Sequence, residues 1–392
     1  MISLHEPLIT GKEWNYVKKC LDTGWVSSAG KYVNIFEKRI AKYTGSKYAI
    51  ACVNGTAALQ ISLQIAGVRK GDEVIVPSLT FIAPVNAISY NNAKPIFMDN
   101  NKNYTIDIDK TMNFLKNETK TIRKNGNRNS YITINKKTGK RIAALIVVHV
   151  FGNAVKLDNL IGLCKKKNIF LIEDAAESIG TFFTHGKYSK KHSGTLGKIG
   201  CLSFNGNKII TSGGGGMILT DDVKIAKRAK YLSNQAKDDP IFYEHNEIGY
   251  NFRLTNVQAA LGIAQLTLLP KFLKKKKIIH EKYKNKINKI KGLKISEVPN
   301  FAKCNYWLNV LEIDKKNLSK RKLLQIIKYL LKNGIETRPI WRPNHLQKPY
   351  KNCQTYRLNY ANQIYKNRLC LPSSVQLTNK QQNFICSKLK NI

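Results

Sequence analysis

Acidic residues are scarce in this chain of 392 residues. Asp and Glu together number 25 against 66 Lys and Arg, which gives a formal net charge of +41. Nucleic-acid-binding proteins concentrate such charge in a patch or a recognisable module. Here the lysines are spread along the chain, and the runs at 165–167 and 274–277 are not interleaved with stacking aromatics. The sequence therefore predicts no nucleic-acid partner, and its many Lys, Asn, Ile and Tyr residues, which have A/T-rich codons, favour a compositionally biased genome as the cause.

Long apolar runs are lacking as well. The longest, 142–150, is too short to span a bilayer and is interrupted by His149. Residues 1–7 contain no basic region followed by an apolar stretch, so the sequence shows no secretory signal. We expect a cytoplasmic protein without membrane insertion.

Features of a metal or redox protein are also missing. The eight cysteines are scattered without a Cys-x-x-Cys pair, and the seven histidines have no metal-ligand spacing. We expect reduced thiols that are mostly small core residues, such as Cys52 and Cys201, and no bound metal. No Gly-x-Gly-x-x-Gly motif follows a strand, which disfavours a nicotinamide-dependent enzyme.

What the chain does have is an alternation of apolar strands and helical segments between about residues 45 and 220. The short apolar segments are 73–76, 95–98, 143–148 and 169–172. This alternation predicts an α/β fold with a mostly parallel sheet covered by helices on both faces. The polar stretch 117–140 is typical of an insertion that forms a surface hairpin or loop.

The remaining sequence predicts a second, smaller unit. A long amphipathic helical region extends from about residue 255 to 290, and strand and helix then alternate again at 307–313 and 323–332. We therefore expect a large domain over 1–260 and a smaller C-terminal α/β domain over 261–392.

The residues around Lys208 indicate a specific chemistry. Ser203 precedes Lys208 by five residues, the glycine run 213–216 follows, and Asp174 comes at the end of an apolar strand upstream. A lysine amine can form a Schiff base with the aldehyde of pyridoxal phosphate, and an acid beside the pyridine nitrogen keeps it protonated, so that the ring withdraws electrons. The Ser203 hydroxyl can hydrogen-bond the phosphate. Each piece alone has an ordinary explanation, such as a surface lysine, a glycine turn or a helix cap, but their order predicts a pyridoxal phosphate site.

A separate segment predicts a cradle for the phosphate. Residues 48–53 have the pattern of a short buried strand, Asn54-Gly55 form a tight turn, and residues 56–63 have helical periodicity. Backbone N–H groups and the helix dipole favour an anion at such a helix N-terminus. An Asn-Gly pair is also typical of a β-hairpin, but the helical period that follows favours the phosphate cradle.

Several motifs occur in one order along the chain. They are Gly24-Trp25-Val26-Ser27-Ser28, Asn54-Gly55-Thr56-Ala57-Ala58-Leu59, Val76-Pro77-Ser78-Leu79-Thr80-Phe81, Glu173-Asp174-Ala175-Ala176, Ser203-Phe204 with Lys208, and Gly249-Tyr250-Asn251-Phe252-Arg253. Together they resemble the pyridoxal-phosphate-dependent sugar aminotransferases of the DegT/StrS family, nearly from end to end. The resemblance implies the fold of aspartate aminotransferase (fold type I), glutamate as amino donor, a nucleotide sugar as acceptor, and a homodimer with shared active sites.

The resemblance also implies a role for each matching residue. The phosphate contacts are Thr56, Ala57 and Ser203, together with Asn251, which reaches the phosphate of the neighbouring subunit. The contacts to the rest of the cofactor are Phe81 stacked on the ring, Asp174 paired with the ring nitrogen and Lys208 bound to the aldehyde. Dehydratase relatives carry histidine in place of this lysine, so a sugar dehydratase is disfavoured.

The role of Glu177 stays open. Relatives often carry Gln or His at this position, beside the phenolic oxygen of the cofactor. A carboxylate there would repel that oxygen unless it is protonated or bridged.

Weaker features indicate the acceptor. The segments 135–141 and 305–309 resemble enzymes of bacillosamine and legionaminic-acid synthesis, which predicts amination at carbon 4 of a UDP-linked 2-acetamido-4-keto-2,6-dideoxyhexose. The candidate substrate contacts are Trp25, Ser27, Ser28, Arg253, Arg338 and His345, for which an ordinary polar surface is an equal explanation. The alternatives are a GDP-perosamine-type enzyme and a non-catalytic regulator. A regulator has no need of a Schiff-base lysine, so Lys208 disfavours it.

Overall fold

The computed structural model describes residues 1–123, 131–239, 241–314 and 320–392. In chain order the strands are Tyr48–Cys52 (β1), Glu73–Pro77 (β2), Lys94–Met98 (β3), Thr119–Arg123 (β4), Tyr131–Asn135 (β5), Ile142–Val148 (β6), Phe170–Asp174 (β7), Phe182–Phe183 (β8), Ile199–Ser203 (β9), Gly216–Thr220 (β10), Leu293–Ile295 (β11), Ala302–Lys303 (β12), Asn309–Ile313 (β13), Arg338–Pro339 (β14), Thr355–Tyr356 (β15) and Arg368–Leu371 (β16). The helices are Lys12–Asp22 (α1), Lys31–Thr44 (α2), Gly55–Ile65 (α3), Ala83–Tyr90 (α4), Ile108–Asn117 (α5), Asp158–Lys166 (α6), Val223–Ser233 (α7), Asn256–Ile287 (α8), Lys320–Lys332 (α9), Ala361–Ile364 (α10) and Asn379–Leu389 (α11).

Eight of the described strands form one large sheet in the order β1-β10-β9-β7-β6-β2-β3-β15. Neighbours from β9 to β15 are parallel, and β10 runs against both β1 and β9. The central strand β6 reads IAALIVV and is buried along its whole length, as expected for a strand covered on both faces. The prediction of an α/β fold with a mostly parallel sheet is confirmed.

The carboxyl ends of three strands meet at one edge of this sheet. Because β1 and β9 both run opposite to β10, they point in the same direction. Cys52 at the end of β1 lies opposite Gly216, and Gly216 lies opposite Ser203 at the end of β9. The parallel strand β7 ends beside them at Asp174. The carboxyl edge of a parallel sheet is where α/β proteins bind ligands.

The insertion predicted at 117–140 contains the antiparallel hairpin of β4 and β5; residues 124–130 lie outside the described residues. At its base Asn135 Nδ2 donates a hydrogen bond to the Glu73 carboxylate at 2.7 Å. Glu73 begins β2, so the hairpin is anchored at the amino edge of the parallel strands. The predicted hairpin is confirmed, and its anchor is at the edge opposite to that of Asp174.

Helix α8 leads from the large sheet to a second one. The Thr255 hydroxyl accepts the Gln258 N–H, and the Gln258 side chain accepts the Thr255 N–H, so that a capping box starts the helix. Strands β11, β13, β16 and β14 form an antiparallel sheet in that order, and their core includes Ile279 and Tyr283 of α8. The helical region predicted at 255–290 is confirmed, and the elements predicted at 307–313 and 323–332 correspond to β13 and α9.

Two segments cross between the sheets. Ile2 forms a β-bridge with Ile335 next to the second sheet, although it lies at the beginning of the chain. Conversely, β15 adds a strand to the large sheet, although it lies in the C-terminal part. The division into domains 1–260 and 261–392 stays a prediction, and its boundary falls inside α8.

Within the described part of the chain, no helix has the length and apolar character that crossing a membrane requires. Nor do the described residues include a group of three or more His, Cys, Asp or Glu side chains that could hold a metal ion. Seven of the eight cysteines are buried, among them Cys52 and Cys201, so the prediction that these two belong to the core is confirmed.

Candidate active site

A cavity of about 830 Å³ opens at the carboxyl edge of the large sheet. It brings together most of the residues predicted for the cofactor. Those that line it are Thr56, Phe81, Asp174, Glu177, Ser203 and Lys208. A second opening of about 890 Å³ lies around α6 and β7 and contains none of the predicted site residues, all of which the structure describes.

The turn between β1 and α3 forms one end of the cavity. Helix α3 begins at Gly55, and the Asn54 side chain caps it by accepting the Ala57 N–H at 2.8 Å. A Cβ added at Gly55 would lie 3.0 Å from the Ser203 Cβ, so a larger residue would have to push Ser203 away from the helix N-terminus. The strand–turn–helix arrangement predicted here is confirmed, and the hairpin alternative is wrong. An anion that binds the Ala57 N–H would have to share it with Asn54.

Asp174 provides a buried carboxyl at the end of β7. Its burial raises the pKa, and this effect is partly offset by the hydrogen bond from the Ala176 N–H at 3.0 Å and by the positive charge of Lys208. A carboxylate held in such surroundings gains from a cationic partner inside the cavity.

Behind Asp174, a histidine and a second carboxylate form a supporting pair. His149 Nδ1 accepts the Val155 N–H at 3.1 Å, so the ring carries its proton on Nε2 and donates it to Glu173 at 2.9 Å. Glu173 also accepts the N–H groups of Gly194 and Gly197. Although burial opposes ionisation, these bonds hold the pKa of Glu173 below its usual value. The pair fixes the end of β7.

The amine of Lys208 lies between an acid and an aromatic ring. Its Nζ is 3.7 Å from Glu177 Oε1 and 4.3 Å from the centroid of the Trp307 ring. Trp307 is held in place because its indole N–H donates to the Asn207 carbonyl at 2.8 Å. The sequence did not predict this contact, since 100 residues separate Trp307 from Asn207.

Glu177 is buried next to this amine. Burial raises its pKa to about 7, against the opposing effects of Lys208 and of the Phe151 N–H, which donates to Glu177 Oε2 at 2.8 Å. A carboxyl with this pKa changes its protonation state around neutral pH. The repulsion expected from a permanently ionised carboxylate is thereby reduced.

Aromatic rings cover one side of the cavity. Phe151 stacks on Trp341 with ring centroids 4.8 Å apart, and Phe81 meets the edge of Trp341 at 6.0 Å. Of these three residues the sequence predicted only Phe81, which is 53% exposed and free to receive a planar ligand. Trp341 comes from the C-terminal part of the chain, and no local pattern could have assigned it to the site.

The predicted substrate contacts divide into two groups. Arg338 lines the cavity, with its guanidinium 2.9 Å from Glu336 at the mouth. The other predicted residues, all described by the structure, lie outside the cavity lining of a single chain. These are Trp25, Ser27, Ser28, Arg253 and His345, together with the predicted phosphate contact Asn251.

The ring of His345 forms hydrogen bonds outside the cavity. Its Nδ1 lies 2.6 Å from the Ser78 hydroxyl and its Nε2 lies 2.9 Å from Asn362 Oδ1. Both nitrogens therefore hold the segment around His345 against the end of β2. This placement gives His345 a structural contact where a substrate contact was expected.

The loop from Trp25 to Ser28 is fixed to the start of α8. The Asn256 side chain donates to the Trp25 carbonyl at 2.6 Å, and the Asn256 N–H donates to the Ser27 carbonyl at the same distance. The Trp25 side chain is 58% exposed.

Asn251 lies on an exposed segment, where it bridges to Asn234. The nearby Arg253 is half-buried, and its Nε has no hydrogen-bond partner among the described residues.

The residues of the cavity fit pyridoxal phosphate. The Lys208 amine can take the aldehyde, Asp174 can face the ring nitrogen, and the N-terminus of α3 with Ser203 can take the phosphate. The Thr80 hydroxyl lines the cavity and is buried without a hydrogen-bond partner in the described part of the chain, which leaves it free for a ligand.

Comparisons with known proteins agree with this chemistry. Residues 7–390 match the family described as the DegT/DnrJ/EryC1/StrS aminotransferase family. The chain is 34% identical to "Putative pyridoxal phosphate-dependent aminotransferase EpsN" of Bacillus subtilis, covering 100% of this chain and 95% of the relative. It is 35% identical to GDP-perosamine synthase of Escherichia coli O157:H7, covering 99% and 97%. Among solved structures, the aminotransferase TlmJ of Streptoalloteichus hindustanus superimposes with a TM-score of 0.86 at 24% identity, covering 100% of this chain and 98% of that one.

Proposed function

Because the chain belongs to the DegT/DnrJ/EryC1/StrS aminotransferase family and is a pyridoxal-phosphate-dependent sugar aminotransferase, we propose that it transfers an amino group from glutamate to carbon 4 of a nucleotide-linked 4-keto-6-deoxy sugar. The observation that carries this proposal is the position of the Lys208 amine, which lies in the cavity 3.7 Å from a carboxyl that titrates near neutrality. The Lys208 amine can therefore act as a base, and Glu177 can exchange a proton with it, at the place where the reacting carbon must bind.

The cavity residues divide the work between binding and proton transfer. Pyridoxal phosphate, when bound, supplies an aldehyde that takes up the amino group and a ring that withdraws electrons from the reacting carbon. Asp174 would place a negative charge beside the ring nitrogen, and the N-terminus of α3 with Ser203 would hold the phosphate. Phe81 would cover the face of the ring. Together these contacts would fix the reacting carbon near Lys208.

Lys208 moves the proton. As a free amine, its Nζ would take the proton from the α carbon of glutamate as base, and the resulting ammonium would act as the acid of the proton transfer. The same amine works in the opposite direction when the keto sugar is bound. Burial raises the pKa of Glu177 to about 7, so this carboxyl, 3.7 Å from the amine, can donate a proton when neutral and accept one when ionised.

For the acceptor we favour the UDP-linked 2-acetamido-4-keto-2,6-dideoxyhexose. The segment 305–309 supports this choice, because its Trp307 and Leu308 line the cavity. The segment 135–141 contributes no direct contact, since it lies at the opposite edge of the sheet. The second candidate is GDP-linked 4-keto-6-deoxymannose, which the similarity to a GDP-perosamine synthase favours.

A comparison of kcat/KM for the two acceptors at saturating glutamate tests the proposal. A pocket built to hydrogen-bond the acetamido group leaves buried polar groups unpaired when a hydroxyl replaces it, and such groups cost about 1–3 kcal/mol each. We therefore expect a preference of about 5- to 150-fold for the UDP-linked sugar. A preference for the GDP-linked sugar would transfer the assignment to the second candidate. Failure to aminate either sugar with the cofactor bound would refute both candidate acceptors.

The site is further proposed to be completed by a second copy of the chain. Asn251 is the predicted phosphate contact that lies outside the cavity of its own chain. The segment just before it exposes large apolar side chains: Ile241 is 77% exposed, Phe242 77% and Ile248 82%. Apolar groups clustered in this way are typical of a surface that a partner covers.

A further inference from the structure

The first residues of the chain form an N-terminal strap, defined here as residues 2–8, which is bound to the C-terminal part. The Ile2 N–H donates to the Gly334 carbonyl at 2.7 Å, and the Leu4 carbonyl accepts the Ser373 N–H at 2.7 Å. The Gln265 side chain donates to the Leu8 carbonyl at 2.9 Å. Backbone bonds on both sides of His5 therefore hold the strap in one register.

His5 points from this strap into the cavity, where it joins the lining. Its ring centroid lies 6.3 Å from that of Trp307, the ring that contacts the Lys208 amine. Both ring nitrogens are buried, and neither has a hydrogen-bond partner among the described residues. Buried polar atoms are almost always satisfied in proteins, so an unpaired pair of them in a ligand cavity indicates a partner that arrives with the ligand.

The surroundings of His5 define the chemistry of that partner. Burial, followed by the positive charges of Lys276 and Lys208, lowers the pKa of the imidazole well below its usual value. The ring is therefore neutral, with one N–H donor and one acceptor nitrogen. A neutral imidazole suits an uncharged hydroxyl, carbonyl or amide, whereas a carboxylate or phosphate prefers a cation.

Only one of the two substrates offers such a group next to Lys208. The polar groups of glutamate other than its reacting amine are two carboxylates. The hexose must bring its carbon 4 to the same amine, and both its hydroxyl group at carbon 3 and its acetamido group at carbon 2 are uncharged. The neutral ring of His5 therefore matches the hexose.

We propose that His5 is a positioning residue that hydrogen-bonds an uncharged hydroxyl or amide group of the hexose and so selects the sugar acceptor over other ligands. This inference rests on the proposed function. It places the determinant of acceptor binding on the N-terminal strap, more than 200 residues away in sequence from Lys208.

The test separates the two half-reactions of the enzyme loaded with pyridoxal phosphate. His5→Phe keeps a planar ring and removes both hydrogen-bonding atoms, and His5→Asn restores a donor and an acceptor. His185→Phe, at an exposed histidine, is the matched control. Stopped-flow absorbance follows the reaction with glutamate, and then the reaction of the aminated enzyme with the UDP-linked 2-acetamido-4-keto sugar. Titration calorimetry gives the Kd of the UDP-linked 4-amino product.

We expect His5→Phe to lower kcat/KM for the sugar half-reaction and to raise the product Kd by about 5- to 150-fold. The glutamate half-reaction should stay within about twofold, and His5→Asn should recover part of the loss. An unchanged sugar half-reaction, or an equal loss in both half-reactions, would overturn the assignment of His5 alone. A wild-type enzyme that reacts with glutamate but with neither the UDP- nor the GDP-linked keto sugar would overturn the proposed function and this inference with it.

Discussion

Replacement of Asp174 by Asn removes the charge of this side chain and keeps its shape. The Asp174 side chain is buried, and its Oδ1 accepts the Ala176 N–H at 3.0 Å. Asn has nearly the same shape and keeps this bond through its own Oδ1. With Asp174 facing the ring nitrogen as proposed, the variant loses the negative charge beside that nitrogen and little else.

The size of the effect follows from burial. Breaking a buried ion pair by removing one partner costs about 3–5 kcal/mol, and each 1.36 kcal/mol changes a rate tenfold. If that cost falls on the reaction barrier, the rate of the glutamate half-reaction should fall by about 150- to 5,000-fold. Because burial raises the pKa of the Asp174 carboxyl, its ionised form is unfavourable in the cofactor-free chain. The cofactor-free variant should therefore unfold at a temperature equal to or above that of the wild type.

Two measurements check this prediction. Rapid mixing with glutamate under cofactor saturation gives the rate, and thermal unfolding of the cofactor-free chain gives the stability. Asp158→Asn, which removes an exposed carboxylate from the first turn of α6, is the matched control and should leave the rate unchanged. A nearly normal rate in Asp174→Asn would refute the pairing with the ring nitrogen. A clear loss of stability would refute the argument that only charge was removed.

Three further predictions concern the same site. Borohydride treatment of the purified protein should remove its visible absorbance band and fix the cofactor on the peptide that contains Lys208, and label on another lysine would contradict the assignment. Mixed Lys208→Ala and Asn251→Ala chains should regain partial activity as hybrid dimers, and no recovery despite proven subunit exchange would mean that each site is built from one chain. Burial raises the pKa of Glu177 from 4.5 to about 7, so between these pH values the unfolded chain loses this proton while the native state keeps it, and the cofactor-free native state loses stability as the pH rises. In urea denaturation, Glu177→Gln should therefore gain roughly 3 kcal/mol relative to wild type between pH 4 and pH 8, and a pH-independent difference would disprove this.

The parts of the site that the sequence predicted are local in the chain. The turn at Asn54-Gly55 lies between a strand and a helix whose periods differ, so the change of period predicts the helix N-terminus that the structure shows at Gly55. Asp174 and Ser203 end strands, and the carboxyl ends of such strands share one edge of the sheet. Lys208 follows Ser203 by five residues. Short-range patterns and a rule of sheet geometry were enough to predict that these residues lie around one cavity.

The parts that the sequence missed depend on distant pairings. His5 reaches the cavity because Ile2 bridges to Ile335, and Trp341 reaches it because its segment packs back onto the large sheet beside Phe81. The local sequence around His5 or Trp341 does not indicate that either residue contacts the cavity. His345, which the sequence suggested as a substrate contact, instead forms hydrogen bonds with Ser78 and Asn362, which no local pattern indicates.

The return of β15 to the large sheet limits how this chain can be recombined with a relative. A chimera with one junction inside α8 would exchange β11, β13, β14 and β16 as intended, but it would also exchange β15, the strand that pairs with Phe97 and Met98 of β3. The foreign segment would then have to match the host along that sheet edge, where Gln354 also receives a hydrogen bond from Asn135. Exchange of acceptor preference between relatives would therefore need further junctions that keep residues 344–361 and the N-terminal strap each with the sheet it contacts.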